Sequence, residues 1–306
     1  MKYLYIVPVI IMISCTKQDH ISVPSLDIAV NSHSYKVGDT VTFNILNTQA
    51  DFLSFYSGES TSDYKFVKEE KKYNAITALS FWTAKYAGNN ADCGRLMYST
   101  NFSGVYDSTS IRSANWQDIT DRFFMPPIGT STYYYSNEVD ISDLFIAADK
   151  PVYFAWFMNT RENSNRTLFK VQRFQIRGIV EEDSDFSRIK YDFAGSGFKM
   201  VLGRGWAGVT ASLPVVNATD VFWNGPTPNT TYKEGWAVSA PIYPVEEVNL
   251  GAAKAVGLKA LGEEMPSSYT HVYQRPGNYS VTFVAANSSI YGRKEIVKSI
   301  NITIEE

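Results

Sequence analysis

The groups best suited to chemistry are scattered carboxylates, three histidines, one mid-chain cysteine and many aromatic rings. Gly203-Arg204-Gly205-Trp206-Ala207-Gly208 matches G-x-G-x-x-G. A dinucleotide site needs a helix directly after that run, so that backbone N–H groups meet the pyrophosphate. Here Val209-Thr210-Ala211-Ser212-Leu213-Pro214 follows, extended and stopped by proline, so the run reads as a glycine turn between strands. His20, His33 and His271 have no acidic or cysteine cluster beside them in the sequence, so zinc chemistry and Ser-His catalysis lack their parts. Gly195-Ser196-Gly197 is too short for a nucleophile elbow. A glycosidase requires only two carboxylates, and their separation in space is not written in a sequence. The densest acidic run, Glu181-Glu182-Asp183-Ser184-Asp185, reads as a solvated loop. That loop, or Asn89-Asn90-Ala91-Asp92, offers side-chain and carbonyl oxygens for a structural Ca²⁺. No ligand spacing fixes a metal, and no other cofactor is indicated. Cys93 reads as a small buried residue, since a free thiol usually packs as a hydrophobe.

No catalytic constellation emerges, so the expectation is a protein that is not an enzyme, and the aromatics carry the functional reading. Flat rings stack on the apolar faces of sugars, and a rim of Asn, Asp and Arg bonds the hydroxyls. Trp116, Trp156 and Trp236 occupy strand-like stretches and are assigned to the core. Trp206, Trp223 with its neighbour Asn224, and the run Tyr133-Tyr134-Tyr135 lie beside Gly, Pro, Asn or Thr, in predicted loops. Loops on a rigid scaffold are where binding groups sit, so these six are the candidate ligand contacts.

The elements that must position them are strands. Leu26 to Val30 alternates apolar and polar residues. Val41, Phe43 and Ile45 share one face after the turn pair Gly38-Asp39. Phe52 to Tyr56 reads as a third strand. Near the other end, Pro276-Gly277 marks a turn, after which Tyr279, Val281 and Phe283 fall on one face. Ile300, Ile302 and Ile304 alternate in the last strand. Between the ends, Leu79 to Thr83, Arg95 to Thr100, Val152 to Phe157 and the alternating Phe169 to Ile176 continue the β pattern. Val248 to Leu261 is the one stretch with room for a short helix.

Three resemblances sharpen this reading. Met12-Ile13-Ser14-Cys15 closes an apolar run that follows Lys2, and resembles the lipobox of bacterial lipoproteins. That implies cleavage before Cys15, acylation of Cys15, and a polar tether over 16–22. Val37, Gly38, Asp39, Val41 and Phe43, with Tyr273, Pro276, Gly277, Tyr279, Val281 and Phe283, resemble the two halves of an immunoglobulin-like domain of the polycystic-kidney-disease (PKD) type. Phe55-Tyr56-Ser57-Gly58-Glu59 stands where that family has W-D-F-G-D-G. The middle is similar to the galactose-binding-type jelly roll of cleaved-adhesin-like domains, through its L-S-F, W-x-D-I-T, V-D-I-S and P-V-Y-F-A-W runs. Together they resemble a Bacteroidetes-type family of surface lipoproteins associated with outer-membrane glycan uptake of the starch-utilisation (Sus) kind.

The expected architecture is therefore all-β: a discontinuous Ig/PKD-like sandwich over 23–74 plus 255–306, with a jelly roll inserted over 75–254, after a signal peptide over 1–15. Two separate small Ig-like domains are the alternative. Hydrophobic residues at 44% and charged residues at 19% permit a sizeable core in the roughly 290 residues that remain after cleavage. A net charge of −3 without a basic block argues against nucleic acid as partner. The resemblance implies an outer-membrane, lipid-anchored protein facing the exterior, with a glycan and a Sus-like transporter complex as partners. A protein-binding, adhesin-like subunit is the second functional reading, and a glycoside hydrolase the third.

Overall fold

A computed structural model describes residues 21–181 and 186–306. Cys15, most of the tether, His20 and the acids Glu182, Asp183 and Asp185 lie outside the described residues. The fold is all-β, with sheets packed about apolar cores. No helix among the described residues is long and apolar enough to cross a membrane.

The chain divides into two compact units, one of residues 21–71 with Leu250–Glu306 and one of Lys72–Asn249. The first unit joins both ends of the chain. One sheet places Thr40–Gln49 between Ser25–Val30 and Ser268–Val272. The other runs Val256–Lys259, Phe52–Tyr56, Gly277–Ser289, Gly292–Glu305 and Ser34–Lys36, the last pairing in parallel. Alternation explains the core: Val41, Phe43 and Ile45 turn inward to meet Leu53, Phe55, Val281 and Phe283. Phe283 packs its ring 5.4 Å from Phe43 and 5.2 Å from Phe55. Fully buried Tyr273 donates its hydroxyl to the Ser57 carbonyl at 2.8 Å.

The second unit stacks two larger sheets. One orders Lys199–Leu202, Lys233–Val238, Tyr153–Thr160, Gly94–Ser99 and Gln117–Asp118. The other is built on Leu168–Val180 and Lys71–Tyr86, with Asp220–Trp223 beyond the first, and Thr130–Tyr135 and Glu247–Gly251 alongside the second. Phe81, Trp156, Phe169, Phe174 and Trp223 fill the space between. Phe81 meets the Trp156 edge at 4.8 Å.

Two local expectations are corrected. Val248 to Leu261 holds no helix; Glu247–Gly251 and Val256–Lys259 are strands, separated by a turn at Gly251 with φ +77°. Among the described residues, the α-helix lies at Ser108–Ser113, where the Asp107 side chain accepts from the Ser110 N–H and caps it. The alternation over Phe169 to Ile176 also slips: Phe169 and Val171 point inward, then Phe174 and Ile176. A bulge between Gln172 and Gln175, with Arg173 at φ +50°, shifts the register by one residue and restores the inward face.

Candidate functional site

The six residues singled out as ligand contacts fall into two groups, and several differ from expectation. Trp223 is on a strand, not a loop, and is fully buried. Its ring meets Trp206 edge-on at 5.4 Å, and its Nε1 donates to Thr160 Oγ1 at 3.1 Å. A ring sealed on both faces offers nothing to a sugar, so Trp223 is a core residue. Trp206 does lie in a turn, yet only 9% of it is exposed, and its Nε1 donates to the Glu234 carbonyl at 2.9 Å. Asn224 is half-buried beside Trp223. The tyrosine run is also a strand, Thr130–Tyr135, rather than a loop. Tyr133 and Tyr134 are half-buried there, and burial pushes the Tyr133 hydroxyl up to about 12, helped by the nearby Asp220 charge. Tyr135 alone is well exposed, at 40%, with Trp82 5.5 Å away. Among the described residues, no ring contact links the tryptophans of this set to the tyrosines.

A different aromatic surface is assembled on the outer face of the five-stranded sheet. In Tyr153–Thr160, Phe154, Trp156 and Met158 point to the core, so Tyr153, Ala155 and Phe157 point outward. Register then places Arg95, Phe157 and Trp236 side by side on three neighbouring strands. Phe157 and Trp236 approach at 4.7 Å, and Trp116 joins Trp236 at 5.4 Å. Trp116 and Trp236, expected in the core, are only half-buried. Phe102, Tyr106 and Ile111, from the excursion that carries the short helix, pack over the rest of this face. The Trp116 Nε1 donates to the Ile111 carbonyl at 3.0 Å, which fixes the ring at the edge of that cover.

The row ends at a polar cleft of about 480 Å³ lined by Lys85, Asp92, Arg95, Asp118, Thr120 and Asp121, among others. Arg95 belongs to both row and cleft and pairs with Asp118 at 3.7 Å. Asp92 pairs with Arg161 at 3.6 Å. Lys85 is almost wholly buried, and its Nζ donates to the Ala91 carbonyl at 2.8 Å. The Arg204 guanidinium grips Glu234, on Lys233–Val238, with two bonds of 3.1 Å and stacks over Tyr232 at 5.3 Å. Burial pushes the Glu234 carboxyl up, but Arg204 outweighs it and leaves the group below the usual carboxylate range. Apolar ring faces beside opposed charges can hold a neutral, hydroxyl-rich ligand; ion pairs engage Asp92, Asp118 and Glu234.

Among the described residues, no group of three His, Cys, Asp or Glu side chains converges as a metal site. In the Asn89–Asp92 loop, Asn90 is buried and donates to Asn159 Oδ1 at 2.9 Å, while Asp92 turns to Arg161. The remainder of the other calcium candidate, 182–185, is outside the described residues. Cys93 is fully buried, and burial pushes its thiol up to about 12, so it is no nucleophile. His271, with no acidic cluster beside it in sequence, meets the single carboxylate Glu59 at 2.9 Å across 212 positions.

The signal that could have found the aromatic row was present in the sequence. Trp156 and Phe157 are adjacent in a strand, so their rings must face opposite sides, and one of them must leave the core.

The family described as "Domain of unknown function (DUF5017)" matches residues 14–195. No curated protein matches this chain, and no solved structure does. Since the match spans more than half of the sequence, the chain belongs to the DUF5017 family.

Proposed function

We propose that this protein is a lipid-anchored binding protein of the outer membrane, facing the cell exterior, that captures a glycan without chemical turnover for a Sus-like uptake system. The observation that carries the reading is the row Trp116, Trp236 and Phe157, running into the cleft at Arg95 and Asp118. Ring faces take the apolar side of a sugar, and the cleft's charged and hydroxyl groups take its hydroxyls. Anchoring rests on the Cys15 motif. In this reading the unit bearing the row is a galactose-binding-like jelly roll, and the unit joined from both chain ends is an Ig/PKD-like module that carries the anchor. The exposed ring of Tyr135 is a secondary contact.

Native gels cast with plant, host and microbial polysaccharides test it. One or more should retard the protein, and Trp236→Ala should weaken retardation by roughly fivefold or more, as loss of one stacking ring of about 1–3 kcal/mol implies. Thermal melts of the variant check that it stays folded. Retardation by none of the polysaccharides, or equal retardation of Trp236→Ala, overturns the site. Release of reducing sugar from a retarding polysaccharide overturns the non-catalytic part.

A further inference from the structure

The long hairpin of the first unit pairs Gly277–Ser289 with Gly292–Glu305 over its whole length and turns at Ile290 and Tyr291. These two apolar residues are the reverse of buried: Ile290 is 91% exposed and Tyr291 65%. Two large apolar side chains held out on adjacent tip positions stabilise nothing within the first unit. Their location carries the argument. Asn287 Nδ2, three residues before the tip, donates to the Ser22 carbonyl at 3.0 Å and to Ser22 Oγ at 3.1 Å. A Cβ at Gly292 would lie 3.7 Å from Ile21 Cδ1. The tip is thus beside the point where the chain arrives from Cys15. Only six residue steps separate Cys15 from Ile21, a reach of roughly 20 Å at full extension. Beyond Gly292, Arg293 and Lys294 are exposed, with Arg293 paired to Glu295 at 3.4 Å.

We propose that the Ile290-Tyr291 tip is a membrane-contact element, seated in the headgroup–acyl boundary of the bilayer that holds the acylated Cys15. This rests on the reading of Cys15 as the lipidated residue. Ile290 partitions into the apolar margin, Tyr291 places an amphipathic ring at headgroup level, and Arg293 and Lys294 meet lipid phosphates. The tether then orients the first unit instead of leaving it to swing.

The test uses the full chain, purified from a bacterial membrane and reconstituted in vesicles of phosphatidylethanolamine and phosphatidylglycerol. Ile290→Cys is labelled with a polarity-sensitive fluorophore; Cys93 is buried and unreactive while the fold is intact. The control is Lys36→Cys, exposed and paired with Glu305 at the other end of the hairpin, about 40 Å away at strand rise. Mass spectrometry reads the acylation of Cys15. The expected result is vesicle flotation, a blue shift at position 290 with quenching by headgroup-nitroxide lipid, and neither change at position 36. Flotation without quenching at position 290 overturns the tip contact and leaves the anchor standing. Quenching at both positions overturns the proposed orientation. An unacylated Cys15 in a chain that does not float overturns the anchoring reading, and the tip contact with it.

Discussion

At the scale of single residues, the His271–Glu59 pair has a pH signature. The His271 hydrogen bond holds the Glu59 carboxyl below the usual carboxylate range, against burial, which pushes it up. A carboxyl lowered in the folded state stabilises above its unfolded value, about 4.3, and that stabilisation is lost as pH falls through the folded value. Glu59→Gln should therefore lower the melting temperature at pH 7 and converge with the parent in acid. Solvent around a partly exposed carboxylate keeps the difference below about 1 kcal/mol. A gap that persists at pH 3 would show that the carboxylate charge is not the cause. Tyr273→Phe removes a buried donor and leaves the Ser57 carbonyl unpaired, which should cost about 1–3 kcal/mol in urea unfolding at neutral pH. Legibility at this scale is uneven. Cys93 reads correctly because a free thiol usually packs as a small hydrophobe, even among polar sequence neighbours. Trp223 misreads as a loop residue, because neighbouring Gly and Pro suggest a loop, whereas burial depends on which face of a sheet a strand presents.

At the scale of elements, strands are legible and their interruptions are not. Val41, Phe43 and Ile45 show a clean period of two because one face meets a core and the other is more open, whereas the strand of Tyr279, Val281 and Phe283 is buried on both faces from Val281 to Ala286. The bulge at Arg173 leaves no local signature; the extra residue is set by pairing with the partner strand between Ser80 and Trp82. The row of rings was hidden for a related reason, since Phe157 and Trp236 become neighbours only through register. One turn makes a sharp prediction. Gly58 has φ +83°, and a Cβ there would come 2.9 Å from the Ser280 backbone nitrogen. Backbone cannot rotate aside as a side chain can, so Gly58→Ala should destabilise the first unit by about 1–3 kcal/mol. An unchanged unfolding midpoint would mean that the two strands separate at no cost.

At the scale of the whole molecule, the first unit depends on both ends of the chain. Phe283 fills the space between Phe43 and Phe55, so Phe283→Ala should cost about 3–5 kcal/mol and be felt by strands more than 200 positions earlier. Deleting everything after Ala255 should unfold 21–71, because a segment of that size buries too little surface alone. Residues 72–249 expressed by themselves should unfold cooperatively, having their own core. Backbone amide protection that survives in 21–71 of the truncated chain would refute the dependence. The motifs at the two ends hint at this sharing, because neither end has enough strands for a sandwich. The limits of each unit follow from which residues pair, and pairing is not a local property.

The double crossing between the units has a further consequence. The chain leaves the first unit near Phe66 and returns near Ala253, where the Ala253 N–H donates to the Phe66 carbonyl at 3.0 Å and Lys254 N–H to Thr61 at 2.9 Å. A protease that severs one crossing therefore releases nothing. The far fragment stays joined through the other crossing and through the ladder that zips Phe52–Tyr56 to Gly277–Ser289. A nicked molecule should migrate as two pieces in denaturant yet elute as one in native gel filtration. Under the proposed display outside the cell, that is resistance to shedding, achieved by chain routing alone.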